Sequence, residues 1–225
     1  MGPKERLASA VRKVVHSHQE DLEREKARSA ERRQQPELIW ELLLLSFATM
    51  GNSRGVALVE NSLFHNPVRF TALARLSPND RLATLKSNLR AARVRMPDKK
   101  ADWLAENFER IQREGGIKAV NQKVVERTLR DDKISYLRRT FQGIGKKYAR
   151  NMMMDIAHPD FQDSIAIDDR VKKIMEVLGL RFSERGYEDT EQFFLDVARE
   201  VGLTGWELDR LLYRHTVEVL EAVEA

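Results

Sequence analysis

One run constrains the chain more than any other: TFQGIGKKYARNMMMDIAHPDFQDSIAIDDRVKKIMEVLGL, residues 140–180. A helical pattern leads into Phe141. Gly143 and Gly145 then flank Ile144, and a second helical pattern starts at once with Lys146 and Lys147. Glycine permits positive φ and close backbone approach, so this spacing predicts a tight hairpin between two helices. The second helix must begin with N–H groups that it cannot bond itself, and such an N-terminus attracts anions, phosphate above all. A turn with His158 and Pro159 follows, then the apolar run Ile165, Ala166, Ile167 and the acidic pair Asp168 and Asp169. Val171, Ile174, Met175 and Leu178 give one face to a further helix.

The remainder of the chain reads as helix too. Residues 4–33 are charged and helix-prone. Leu7, Val11, Val14 and Val15 form a short apolar face, whereas residues 20–33 are almost wholly polar and read as a solvated helix or a basic arm. Pro36 suits a helix start, and residues 37–50 are apolar on nearly all sides, which implies a buried helix. Gly51 can stop it, and Asn52 or Ser53 can cap the next. Ser77 and Pro78 divide residues 69–95 into two short helices. Ala101, Leu104, Ala105, Phe108 and Ile111 mark an amphipathic helix that Gly115 and Gly116 end. Asp131 or Asp132 is expected to cap the first hairpin helix. Met152, Met153 and Met154 read as packing in the second. Residues 182–186 read as a loop, 189–201 as a helix, and Thr204 as the cap of one last helix running from Trp206 through Val217 to Leu220. With 11 glycines and 6 prolines among 225 residues, this is an all-α chain in expectation, long enough for one large domain or two packed lobes.

Absences narrow the chemistry. There is no cysteine, which excludes disulfides, thiol catalysis and a cysteine-ligated iron–sulfur cluster. The five histidines show no ligand spacing, so no metal site is expected. Nothing in the sequence is apolar enough to span a bilayer or to serve as a signal-peptide core, so no membrane association is expected and the protein reads as intracellular. The net charge of +4 permits nucleic-acid binding without establishing it.

GIGKK followed by an apolar-apolar-Asp helix start resembles the helix-hairpin-helix signature of the base-excision DNA glycosylases, the superfamily of endonuclease III and the 8-oxoguanine glycosylases. Gly143, Ile144 and Gly145 match the hairpin. Lys147 falls on the position of the family's Schiff-base lysine, and Asp168 on that of its invariant aspartate. The lysine-to-aspartate spacing is a few residues longer than in endonuclease III, and the extra length falls in the turn HPDFQDS, where it is tolerated. The missing cluster departs from endonuclease III but suits the 8-oxoguanine and alkylpurine branches.

The resemblance implies a two-lobed helical fold with a cleft. One barrel-like lobe would span residues 37–157, and the other would be made of residues 1–36 and 158–225. It implies catalysis by Lys147 and Asp168, with Gly143, Ile144, Gly145, Lys146, Asn52, Arg54 and Arg170 binding DNA and Met50 a further candidate. The helix dipole favours a negative charge at the Asp168 position. No cofactor is implied, beyond the sodium or potassium ion that the family hairpin often holds on backbone carbonyls. The expected partner is double-stranded DNA with a damaged, 8-oxoguanine-like base, acted on by a monomer in the cytoplasm (nucleoid) or nucleus. Two rival readings stay open. One is a monofunctional alkylpurine glycosylase in which Lys147 only binds DNA. The other is a non-catalytic DNA-structure-binding module, in which the carboxylate at 168 has no purpose.

Overall fold

The computed structural model describes residues 1–51, 53–181 and 186–225. In chain order its helices are α1 (Pro3–Arg33), α2 (Leu38–Thr49), α3 (Ala57–Glu60), α4 (Ser62–His65), α5 (Phe70–Leu73) and α6 (Pro78–Ala91). They continue as α7 (Pro97–Arg113), α8 (Ile117–Val125), α9 (Arg130–Thr140), α10 (Lys146–Met154) and α11 (Asp169–Val177). The last are α12 (Tyr187–Glu200), α13 (Gly205–Arg214) and α14 (Thr216–Glu224). The described residues contain no strand, so the all-α expectation holds. The chain divides into two compact units, residues 1–31 with 156–225, and residues 32–155.

The unit of residues 32–155 is built around α2. Leu38, Ile39, Trp40, Leu42, Leu43, Leu44, Phe47 and Ala48 are all buried, as a run apolar on every side requires. The Trp40 indole N–H donates to the Val68 carbonyl at 2.7 Å, so its one polar atom is satisfied inside the core. Buried Glu37 accepts from the N–H groups of Phe70 and Thr71 at 2.9 and 3.0 Å and so anchors the start of α5. Ser77 caps α6 by accepting from Asp80 N–H at 3.2 Å, with Pro78 at the first helical position. Met152, Met153 and Met154 of α10 are wholly buried, as packing residues should be. The start of α9 differs from expectation. Its N-cap position is Leu129, and Asp131 and Asp132 lie in the first turn, where they complement the helix dipole instead of capping.

In the other unit, Leu7, Val11 and Val14 of α1 join Val171 and Ile174 of α11, Phe194 and Val197 of α12, and Leu208, Leu211, Leu212, Val219 and Val223 of α13 and α14 in one core. Two corrections arise here. The polar second half of α1 is not a bare solvated helix: Leu22, Glu25 and Ser29 are buried, Glu25 pairs with Arg214, and Lys26 pairs with Glu207 at 2.6 Å. The last helix is two helices. α13 opens with a capping box of Thr204 and Glu207, then breaks at His215 (φ −117, ψ 33), and Val217 of α14 is left exposed.

Candidate functional site

The hairpin lies within the unit of residues 32–155. α9 stops as Phe141 turns extended, and Gly143 takes φ +82, the left-handed region that favours glycine. A Cβ on Gly143 would lie 2.7 Å from Cε3 of Trp103 and 2.9 Å from Cε1 of Phe47, so the backbone is pressed against two aromatic rings. Ile144 is buried and pins the turn to the core. Asn107, wholly buried on the inward face of α7, holds the turn from the other side. Its Oδ1 accepts from Gln142 N–H at 2.7 Å and its Nδ2 donates to the Gln142 carbonyl at 3.0 Å. Arg110 donates to the Thr140 carbonyl at 2.9 Å. Two side chains of α7 thus hold the backbone of the loop.

Gly145 is the N-cap of α10, with extended backbone (φ −89, ψ 178) and no heavy atom near where a Cβ would stand. No side chain caps the helix there. Lys146 and Lys147 follow on the first turn, both exposed. An uncapped helix start, an approachable glycine and two cations therefore share one surface. This is the arrangement that receives a phosphate.

Beside the hairpin, Lys100 of α7 is buried. Its Nζ donates to the Phe47 and Met50 carbonyls at 2.7 and 2.8 Å, satisfying the carbonyl end of α2. Burial, with a smaller contribution from Arg95, pulls this ammonium down to about 8. Half-buried Tyr148 takes a hydrogen bond from the Gly51 backbone, and burial pushes its phenol up from the usual value. Gly51 itself ends α2 with φ +90. Of the residues expected to touch DNA after α2, Asn52 lies outside the described residues, while Arg54 is exposed on a short 3-10 helix, Ser53–Val56. Met50, another candidate, supplies the carbonyl that Lys100 holds.

Asp168 belongs to the other unit. It is the N-cap of α11, extended in backbone, with Oδ1 accepting from Arg170 N–H at 3.0 Å and Val171 N–H at 3.2 Å. Its Oδ2 accepts from Arg170 Nε at 2.9 Å and also pairs with Nη2. The Arg170 guanidinium lies 3.9 Å over the Tyr213 ring, which fixes its plane. Between these constraints the Asp168 side chain keeps 21% of its surface exposed. The apolar run before it is tied down as well. Asp209 accepts from Ala166 N–H at 2.8 Å and pairs with Arg210 at 2.9 Å, although its burial pushes its carboxyl up. The Tyr187 hydroxyl donates to the Ile165 carbonyl at 3.3 Å. Asp169, by contrast, is fully exposed and only 3.9 Å from Lys172, so the capping carboxylate is Asp168.

The sequence marked Asp168 and Arg170 as separate candidates, but neither their pairing nor the tyrosine that orients the arginine. Asn107 and Lys100 were missed as well. Asn107 carried a usable signal, an amide at helical spacing between Leu104, Phe108 and Ile111, whereas Lys100 looks like any surface lysine until the fold covers it.

No family model matches the chain, and no curated protein matches it in sequence. Solved structures do. The 8-oxoguanine DNA glycosylase of Thermotoga maritima is similar with a TM-score of 0.69 at 18% identity, over 93% of this chain and 95% of that one. A Methanocaldococcus jannaschii 8-oxoguanine glycosylase/lyase, in complex with 15mer DNA containing 8-oxoguanine, is similar with a TM-score of 0.67 at 16% identity, over 91% of this chain and 96% of that one. Over more than nine-tenths of its length the chain has the fold of these 8-oxoguanine DNA glycosylases.

Proposed function

We propose that the protein is a base-excision DNA glycosylase with AP-lyase activity, acting on an oxidised purine of the 8-oxoguanine type. The observation that carries this reading is the hairpin: a rigid, uncapped start of α10, open at Gly145 and bearing Lys146 and Lys147. It would grip a backbone phosphate without reading sequence, while the damaged base leaves the stack.

In this reading the Lys147 amine, once it has shed its proton, attacks C1′. The C1′–Nζ bond forms as the C1′–N bond breaks, and the base leaves with that electron pair and takes up a proton; the C1′–O4′ bond then breaks, O4′ takes a proton from Nζ, and the opened sugar is held as a Schiff base. Loss of a 2′ proton then breaks the C3′–O bond and nicks the strand by β-elimination. Asp168 supplies negative charge while the sugar becomes cationic. Its two backbone bonds and Arg170 hold the carboxylate in one orientation, so little reorganisation is needed during reaction. Lys146 binds phosphate, and Arg54 supplies a further contact from the short 3-10 helix after α2.

A panel of duplexes, each carrying a single lesion and assayed without magnesium, tests the reading. Base loss with strand cleavage at 8-oxoguanine is expected. Base loss at alkylpurines without cleavage would replace the lyase with a monofunctional enzyme. Tight binding with no base loss on any lesion would refute the glycosylase altogether.

A further inference from the structure

Away from the hairpin and Asp168, the unit of residues 1–31 and 156–225 gathers His18, His215, Asp21 and Glu218. His18 and Glu218 are 200 residues apart in the chain, so no spacing rule could pair them. Both histidines sit where a helix is interrupted. α1 has non-helical backbone at His18 (φ −128, ψ 23), and His215 is the break between α13 and α14. The two imidazoles stack with centroids 3.7 Å apart. Glu218 faces both: Oε2 lies 2.6 Å from His18 Nε2, and Oε1 lies 3.1 Å from His215 Nδ1. Asp21 faces the remaining nitrogen of each ring, with Oδ2 3.3 Å from His18 Nδ1 and 3.6 Å from His215 Nε2. The other Asp21 oxygen is taken by Arg24 at 2.5 Å. His215 Nε2 is buried and has no hydrogen-bond partner.

We propose that His18 Nε2, His215 Nδ1 and a Glu218 oxygen form a binding site for a divalent transition metal of the zinc type, with Asp21 as the carboxylate behind both imidazoles. Two imidazoles and one carboxylate are a ligand set that zinc accepts, with a water completing the tetrahedron. A ligating histidine usually gives its other ring N–H to a carboxylate, and here one carboxylate serves two rings. That role also explains the orphaned His215 nitrogen, which reaches Asp21 once the ring turns. The ligand atoms lie within 4.8 Å of one another. Zinc bonds of about 2.0–2.1 Å need a ligand spacing of about 3.3 Å, so the two stacked rings must turn toward the ion to close the site. The two His side chains are 24% and 12% exposed, enough for an ion to enter. A bound ion would join α1 to the α13–α14 break. It would therefore stabilise the fold, whatever reaction the protein catalyses.

The test uses the full chain, stripped with chelator and titrated with Zn²⁺ by calorimetry, with thermal melting alongside. One equivalent should bind, the melting temperature should rise, and a Co²⁺ replacement should show the strong visible bands of tetrahedral coordination. His18→Gln and His215→Gln should each weaken binding by at least ~10-fold and remove the thermal shift. Should either variant fail to fold, Glu218→Ala, at a side chain 49% exposed, gives the same readout. Absence of stoichiometric binding at micromolar zinc, or binding that persists unchanged in the variants, would overturn the site. Neither result depends on DNA or on base excision.

Discussion

The two hairpin glycines look equivalent in sequence, and the structure assigns them different work. Gly143→Ala meets two costs. A non-glycine residue at φ +82 costs about 1–2 kcal/mol. The new methyl would stand 2.7 Å from Trp103 and 2.9 Å from Phe47, where carbon atoms prefer about 3.5–4.0 Å. Phe47 is wholly buried, so the ring can yield only by disturbing α2, at about 1–3 kcal/mol. Together they amount to a destabilisation of about 2–5 kcal/mol. Gly145→Ala meets neither cost. Its φ of −89 suits alanine and no heavy atom stands in the way, so the change from glycine to alanine at an N-cap should cost at most about 1 kcal/mol. Its methyl would project where a phosphate approaches, and DNA affinity should fall. Urea unfolding followed by circular dichroism, with fluorescence anisotropy for DNA, separates the two. An unchanged urea midpoint for Gly143→Ala, or unchanged DNA affinity for Gly145→Ala, would refute the assignment.

Three further outcomes are expected. Asp168→Asn should lower base excision about 100-fold or more, because the charge at the sugar is lost; asparagine also caps helices, so the stability change should stay within about 1 kcal/mol and DNA binding near normal, and full activity in the variant would move the acid to Asp169. Lys100 binds a proton more weakly folded than unfolded, so the wild type should gain about 2 kcal/mol of stability between pH 7 and pH 9.5, as the buried amine loses its charge while the unfolded chain keeps it; unfolding curves of Lys100→Met should lack that gain, and an equal pH slope in both proteins would show that another group titrates. DNA affinity should fall steeply with salt and ignore undamaged sequence, and Lys146→Gln should reduce the logarithmic salt slope by about one, as loss of a phosphate contact does; a sharp preference for one undamaged sequence would contradict the phosphate-grip account.

Local chemistry was legible and remote partnership was not. The Gly-Ile-Gly turn, the start of α11 at Asp168, the Ser77 cap and the burial of α2 all follow from residues within a turn or two of each other. The break at His215 was hidden because the apolar rhythm passes through it: Leu212 and Val219 both point inward, and only the exposure of Val217 betrays the change of axis. The polar half of α1 looked solvated because its partners, Arg214 and Glu207, are nearly the whole chain away. Asp131 and Asp132 have the composition of caps, yet Leu129 occupies the capping position and the aspartates act through the dipole. The hold of Asn107 on Gln142 and of Tyr213 on Arg170 likewise requires the fold to exist before the pair can be seen.

The central claim, that Lys147 is the nucleophile of a bifunctional glycosylase, meets its most direct test in borohydride trapping. Borohydride reduces an imine, so wild-type protein mixed with an 8-oxoguanine duplex should become covalently locked to the DNA, visible as a shifted band on a denaturing gel. Lys147→Gln should lose the adduct and the strand nick together, while Lys146→Gln should bind more weakly and still trap. Base removal by the wild type with no adduct would contradict the lyase, and an adduct that survives in Lys147→Gln would place the nucleophile on Lys146 or another amine.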